Sequence, residues 1–387
     1  MIIDLDSSID RRSSDSVKWG AYAPDVLPLW VADIDFRSPA AVVSALHERV
    51  GHGIFGYGKD PHQLAEVVAA RLAALYAWQV SPSDVVFLPG VVPGLYLSCR
   101  AFTASGDNVA VQTPVYPPIL RAPLDSERTR TEVGFIRTDD GKQTIDWDGF
   151  AQALDGKTRL LILCNPHNPL GRVFSRGELE RVADHCQRRD VVICSDEIHC
   201  DLVFPGYQHI PIASLSPEIA QRTVTLMAPS KTYNLAGLDC SFAVIQNPQL
   251  RARFQKARRG IVPHVNVLGL TAALAAYQDG QSWLEAVLAH LTANRDLLLD
   301  YARAHLPGVR ITAPEGTYLA WLDCRDSPAA AQPYQFFLAH AKVALNDGAL
   351  FGPGGEGCVR LNFGCRRAVL LEALGRMRNA LDNARAR

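Results

Sequence analysis

The stretch from Val191 to Gly237 constrains this chain more than any other, because it holds two apolar strand patterns that each end in a reactive side chain. VVICSDEIH runs through Val191, Val192 and Ile193 and closes in polar residues, the pattern of a buried parallel strand whose C-terminal end opens onto a site. Asp196 and His199 stand at that opening. TVTLMAPSKTYNLAG repeats the arrangement, with a strand over Thr223 to Met227, then the turn-forming Pro229-Ser230, then Lys231. An acid and a lysine therefore leave neighbouring strand ends together.

Such a pair permits a specific chemistry. A lysine near apolar walls can lose its proton and form a Schiff base with an aldehyde cofactor, and pyridoxal phosphate needs an anionic partner at its ring nitrogen to act as an electron sink. Lys231 and Asp196 fit those two roles. Taken without their neighbours, the same residues also fit a lysine on a solvated loop and an aspartate capping a helix.

Around this centre, strand and helix patterns alternate. A strand at Val85 to Leu88 precedes a helix from Val92; a strand at Val109 to Val111 precedes a short helix; Leu160 to Cys164 precedes a helix through Leu179 and Val182, and Val191 to Cys194 follows. Alternation of this kind predicts an α/β fold with right-handed crossovers and a mainly parallel sheet covered on both faces. Ligands then bind beyond the strand C-termini. After Pro263, helices over Leu268 to Tyr277 and Trp283 to Leu306 lead into a C-terminal α+β pattern, with strands at Tyr318 to Leu322 and in GCVRLNFG, a helix around Phe336 to Ala341, and a closing helix from Arg367. Upstream, Ser38-Pro39 reads as an N-cap followed by proline at the first helical position, and Asp60 as the cap of a helix through Leu64, Val67, Val68, Leu72 and Leu75.

A chain of 387 residues with 48% apolar content buries about three quarters of its unfolded surface, which implies two domains. Lys and Arg number 39 against 40 Asp and Glu, so nothing points to nucleic acid or an acidic membrane surface, and binding is expected at a local pocket. MIIDLDSSIDRR does not read as a secretory signal or a transit peptide, and no apolar run approaches the roughly 18 residues of a membrane span. The nine cysteines lack a CxxC, and Cys164 and Cys194 lie in apolar strands, which implies reduced thiols, no metal site and a cytoplasmic location.

NPHNPLGRVFS, SDEIHCDLVF and APSKTYNLAGL, in this order, resemble the signature blocks of fold-type I pyridoxal-phosphate enzymes, the aspartate aminotransferase superfamily. SDEIH and SKTYNLAGL are more similar to its MalY/PatB-type cystathionine β-lyase branch, and the resemblance runs from LWVADIDF to VRLNFG. It implies a large domain over residues 49–284 with a mostly parallel seven-stranded sheet, and a smaller α+β domain from both chain ends, residues 1–48 as an N-terminal arm and 285–387 at the C-terminus.

Site residues follow from the same resemblance. VADIDF, with Ala32, lines the substrate carboxylate pocket, and Arg360 clamps that carboxylate. Tyr116 stacks on the pyridine ring, Asn168 and His199 serve its phenolic oxygen, and Val91, Val92 and Ser230 hold the phosphate. Tyr57, in the glycine-rich HGIFGYGKD loop, reaches the phosphate in the other subunit of a homodimer. Two positions depart from aminotransferases: Asp239 stands where arginine is usual, eight residues after the lysine, and Ala228 where serine is usual. The expected activity is β-elimination on a sulfur amino acid such as cystathionine, with transamination the nearest alternative and a regulator that binds a transcription factor a third.

Overall fold

The computed structural model describes residues 3–138, 142–154 and 156–386. Eight strands, β1 (Val85–Leu88), β2 (Asn108–Thr113), β3 (Thr129–Arg137), β4 (Gln143–Ile145), β5 (Thr158–Cys164), β6 (Val192–Asp196), β7 (Thr223–Met227) and β8 (Ser241–Val244), form one sheet in the order β1-β8-β7-β6-β5-β2-β3-β4. Only β8 and β4 run antiparallel to their neighbours. The seven strands expected are therefore joined by the three-residue edge strand β4. Every residue of β2 and β7 is buried, as sheet strands covered on both faces require.

Helices Val91–Phe102 and Pro248–Arg258 pack one face, and Phe150, Leu179, Val182 and Cys186 cover the other. The approach of Val91–Phe102 is close: a Cβ on Gly94 would lie 2.8 Å from a Leu226 methyl and 3.2 Å from one of Leu88. That closeness seats the helix N-terminus over the ends of β1 and β7. The helix Arg176–Arg188 starts with a capping box in which the side chains of Ser175 and Glu178 accept each other's backbone N–H.

Strands β9 (Arg310–Ile311), β10 (Leu319–Asp323), β11 (Asn346–Asp347) and β12 (Cys358–Asn362) form an antiparallel sheet in the order β9-β10-β12-β11. The helices Gln281–His305 and Arg367–Arg385 share its apolar cluster, and so do Leu27, Leu29, Ile34 and Phe36 of the arm. The arm is also tied in by backbone, since Leu27–Pro28 pairs in parallel with Val343–Ala344. All nine cysteines are buried free thiols. Among the described residues no helix is long and apolar enough to cross a membrane.

Two helix starts differ from expectation. Pro39 is the N-cap of Ala40–Gly51, while the Ser38 hydroxyl donates to the Asn234 carbonyl at 3.1 Å. A tertiary acceptor thus takes the hydroxyl from its expected local role. Asp60 does not cap the next helix either, because Pro61 intervenes and His62–Tyr76 begins without a side-chain cap.

Candidate active site

The parallel strands deliver their C-terminal ends to one edge, and the chemistry-bearing residues gather there. Asp196 is the last residue of β6, flanked in register by Cys164 of β5 and Leu226 of β7. Its carboxylate accepts the Ile198 N–H at 3.2 Å, and only 4% of the residue is exposed. Burial lifts its pKa to about 7, assisted by the neighbouring Glu197 and opposed by the Ile198 hydrogen bond and the Lys231 charge.

Lys231 lies in the single helical turn Pro229–Thr232 that follows β7. Its amine donates to the Ala32 carbonyl at 2.7 Å. Burial lowers its pKa to about 8; the Arg360 cation acts in the same sense, while Asp33 and Asp196 oppose it. An amine made less basic and a carboxyl made less acidic thus stand at adjacent strand ends, each within the other's electrostatic reach.

Tyr116, Asn168 and Arg360 form one connected unit. Tyr116 donates its backbone N–H to the Asn168 carbonyl at 3.0 Å, and Arg360 Nη1 donates to Asn168 Oδ1 at 2.9 Å. Burial raises the Tyr116 phenol, and the Asp196 charge adds to the effect. Arg360 sits on β12, 4% exposed, and Nη2 also donates to the Trp30 carbonyl at 2.9 Å and to Asn346 Oδ1. Its Nε is buried without a partner. Asn168 precedes a cis proline.

His199 is buried with Nδ1 unpartnered, and its ring meets Tyr318 edge-on at 5.8 Å. Burial, with Lys231 and Arg360 nearby, lowers its pKa to about 3, so the ring is neutral. Val91 and Val92 open the helix after β1, behind Gly90 at φ 154° and ψ 156°, a region essentially reserved for glycine. No side chain caps that end, which leaves its first N–H groups for a ligand. Ser230 is half-buried at the first turn carrying Lys231.

Tyr57 does not join these residues within one chain. Its side chain is fully exposed on a loop beside a cavity of about 1080 Å³ lined by Phe55, Val85, Phe87, His264 and Val267. Asp239 is exposed in a left-handed conformation at the end of the turn Ala236–Leu238, so no cation replaces the missing arginine at that position.

Several participants had no readable signal. The Tyr318 hydroxyl donates to the same Ala32 carbonyl at 2.9 Å, and Asp33 belongs to the electrostatic surroundings of Lys231. Behind the site, Glu197 accepts from Ser195 and pairs with His209 at 2.9 Å, while Asp201 links Arg71 (2.6 Å) to the Thr232 hydroxyl (3.0 Å).

The family model for aminotransferase class I and II matches residues 24–377. The chain belongs to the class I and II aminotransferase family. Within that family it is 38% identical to the cystathionine beta-lyase PatB of Bacillus subtilis, over 98% of this chain and all of PatB. The solved structure of OvoB, 46% identical over 98% of this chain and 99% of that one, superposes with a TM-score of 0.93. Cystalysin from Treponema denticola, whose crystal structure contains pyridoxal 5'-phosphate, is 32% identical over 99% of this chain and 100% of that one, with a TM-score of 0.94.

Proposed function

We propose that this family member is a pyridoxal-phosphate-dependent carbon–sulfur β-lyase acting on cystathionine or a related sulfur amino acid. The observation that carries the reading is the placement of Lys231 and the buried Asp196 carboxyl at the C-terminal ends of the adjacent parallel strands β7 and β6, where burial makes the amine less basic and the carboxyl less acidic. The donor set suits the cofactor. An uncapped helix end meets a phosphate, the unpartnered His199 Nδ1 a phenolic oxygen, and the lysine amine an aldehyde.

When bound, the cofactor supplies an aldehyde for the amine and a ring that draws electrons from the substrate's Cα. The protein's part follows from its own groups. Asp196 would hold a proton at the ring nitrogen, and Tyr116 would stack on the ring. Asn168 and His199 would hold the phenolic oxygen, while Val91, Val92 and Ser230 would hold the phosphate together with Tyr57 from the second copy of a dimer. Arg360 and the Ala32 segment hold the substrate carboxylate, which fixes the Cα–H bond toward Lys231. Lys231, freed and unprotonated, removes that proton as general base. The Cβ–S bond then breaks with its electron pair leaving on sulfur; with one water consumed, the products are thiol, pyruvate and ammonium.

In this reading the enzyme is a homodimer in the cytoplasm, with a cofactor domain over residues 49–284 and a smaller domain from residues 1–48 and 285–387. The family description keeps transamination as the second reading, and Asp239 in place of arginine weighs against it. A panel of cystathionine, cystine and S-alkyl cysteines, assayed for pyruvate and free thiol, separates the two. Release of both supports the lyase. A new amino acid from an added 2-oxo acid, with no pyruvate from the thioethers, refutes it.

A further inference from the structure

The arm segment from Trp30 to Phe36 is neither helix nor strand, yet side chains from elsewhere hold its carbonyls. Arg360 donates to Trp30 O, Asn362 to Val31 O and Asp33 O, and Asn234 to Ile34 O and Phe36 O. Lys231 and Tyr318 both donate to Ala32 O. Irregular backbone keeps one geometry only when it is over-determined in this way.

The acidic side chains of the segment are fixed in turn by two cations. Lys18, 1% exposed, places its ammonium 2.9 Å from Asp35, 3.5 Å from Asp33 and 3.3 Å from the Asp33 carbonyl. Arg11 bridges the same carboxylates, at 2.6 Å to Asp35 and 2.8 Å to Asp33, and the Trp19 indole donates to Asp35 at 2.8 Å. A lysine is almost never fully buried unless paired, and among the described residues this one pairs with the arm's Asp33 and Asp35.

We propose that Lys18 and Arg11, acting through the carboxylates of Asp33 and Asp35, are positioning residues for Lys231: they clamp the arm so that the Ala32 carbonyl and the Asp33 charge stay on the lysine amine. The assignment rests on the reading of Lys231 as general base. An amine that must aim its lone pair at a Cα–H bond gains direction from a fixed acceptor for one of its own N–H groups. The charged and titratable groups around it are Asp33 from the arm, Asp196 and His199 from the end of β6, Tyr318 ahead of β10 and Arg360 from β12. Asp33 alone among them is held by cations of the arm, so the clamp reaches the amine through that carboxylate.

The test is competitive acetylation of the full cofactor-free chain across pH, with the Lys231 peptide followed by mass spectrometry, beside steady-state kinetics of the holoenzyme. Asp33→Asn removes a negative charge and moves the Lys231 midpoint down, by on the order of one pH unit. Arg11→Gln releases that carboxylate from the clamp and also moves the midpoint down; a rise, the direct effect of losing a cation with the arm still in place, overturns the proposal. In the holoenzyme both lower kcat several-fold, and KM rises alongside it because the Ala32 segment also lines the carboxylate pocket. An unchanged midpoint in both folded variants overturns the proposal, as does a rise in KM alone, which assigns the arm to substrate binding. Lys18→Met is the harsher variant; should it not fold, the two milder ones decide. Acetylation needs no turnover, so a chain that releases no pyruvate but titrates as expected loses the lyase reading and keeps the clamp.

Discussion

Arg360→Lys isolates geometry from charge. The guanidinium satisfies Asn168 Oδ1, the Trp30 carbonyl and Asn346 Oδ1 with its two terminal nitrogens, which leaves the Nε N–H and one Nη1 N–H for a carboxylate. A lysine ammonium has three donors and no planar fork, so it cannot keep the three internal acceptors and also donate to a carboxylate. Losing one charge-assisted hydrogen bond and the alignment of the other costs about 2–3 kcal/mol, which raises KM by about 30- to 150-fold. kcat falls less, because Arg360 is not assigned to the proton being removed. Pyruvate release is measured against cystathionine concentration, with cofactor absorbance and Tm as controls. A folded, cofactor-loaded variant whose KM stays within about threefold of the parent refutes the carboxylate assignment.

Three further perturbations test the rest of the site. Lys231→Ala abolishes both the visible absorbance of the bound cofactor and pyruvate release; a yellow variant with normal turnover ends the proposal. The folded-state pKa of Asp196, about 7, lies above its unfolded value of 3.8, so the folded chain holds an extra proton between them and stability falls as pH rises through that window. Asp196→Asn removes that slope, worth roughly 4 kcal/mol over the window, and urea midpoints of the cofactor-free chains at pH 4 and 7 read it. An unaltered slope in the variant contradicts the burial argument. Asp201→Ala strands the partly buried Arg71 cation and frees the Thr232 hydroxyl, with an expected loss of about 2–4 kcal/mol in chemical denaturation, whereas the Asp190–Arg222 pair, whose acid is fully exposed, is worth little.

What was legible in the sequence was whatever a local pattern encodes. Strands β6 and β7 stand where apolar runs end in polar residues, so Asp196 and Lys231 were placed from sequence alone, and the strand Thr223–Met227 and the helix beginning at Arg367 match residue for residue at those bounds. Helix starts were less legible, because Ser38 has an acceptor in Asn234, nearly two hundred residues away, and that partner outbids the local N–H. The same separation hid the second ring of the site. Tyr318, Asp33 and Asp201 each act on the lysine turn through partners far along the chain, Tyr318 and Asp33 around Ala32 and Asp201 through Thr232. Nothing in the period of a strand or helix registers such contacts. The residues proposed to perform the chemistry are therefore the ones a periodic pattern exposes, and the residues proposed to set its geometry are the ones only tertiary structure brings together. A variant series confined to the readable motifs would measure the first group and leave Lys18 and Arg11, the cations that fix the arm, untested.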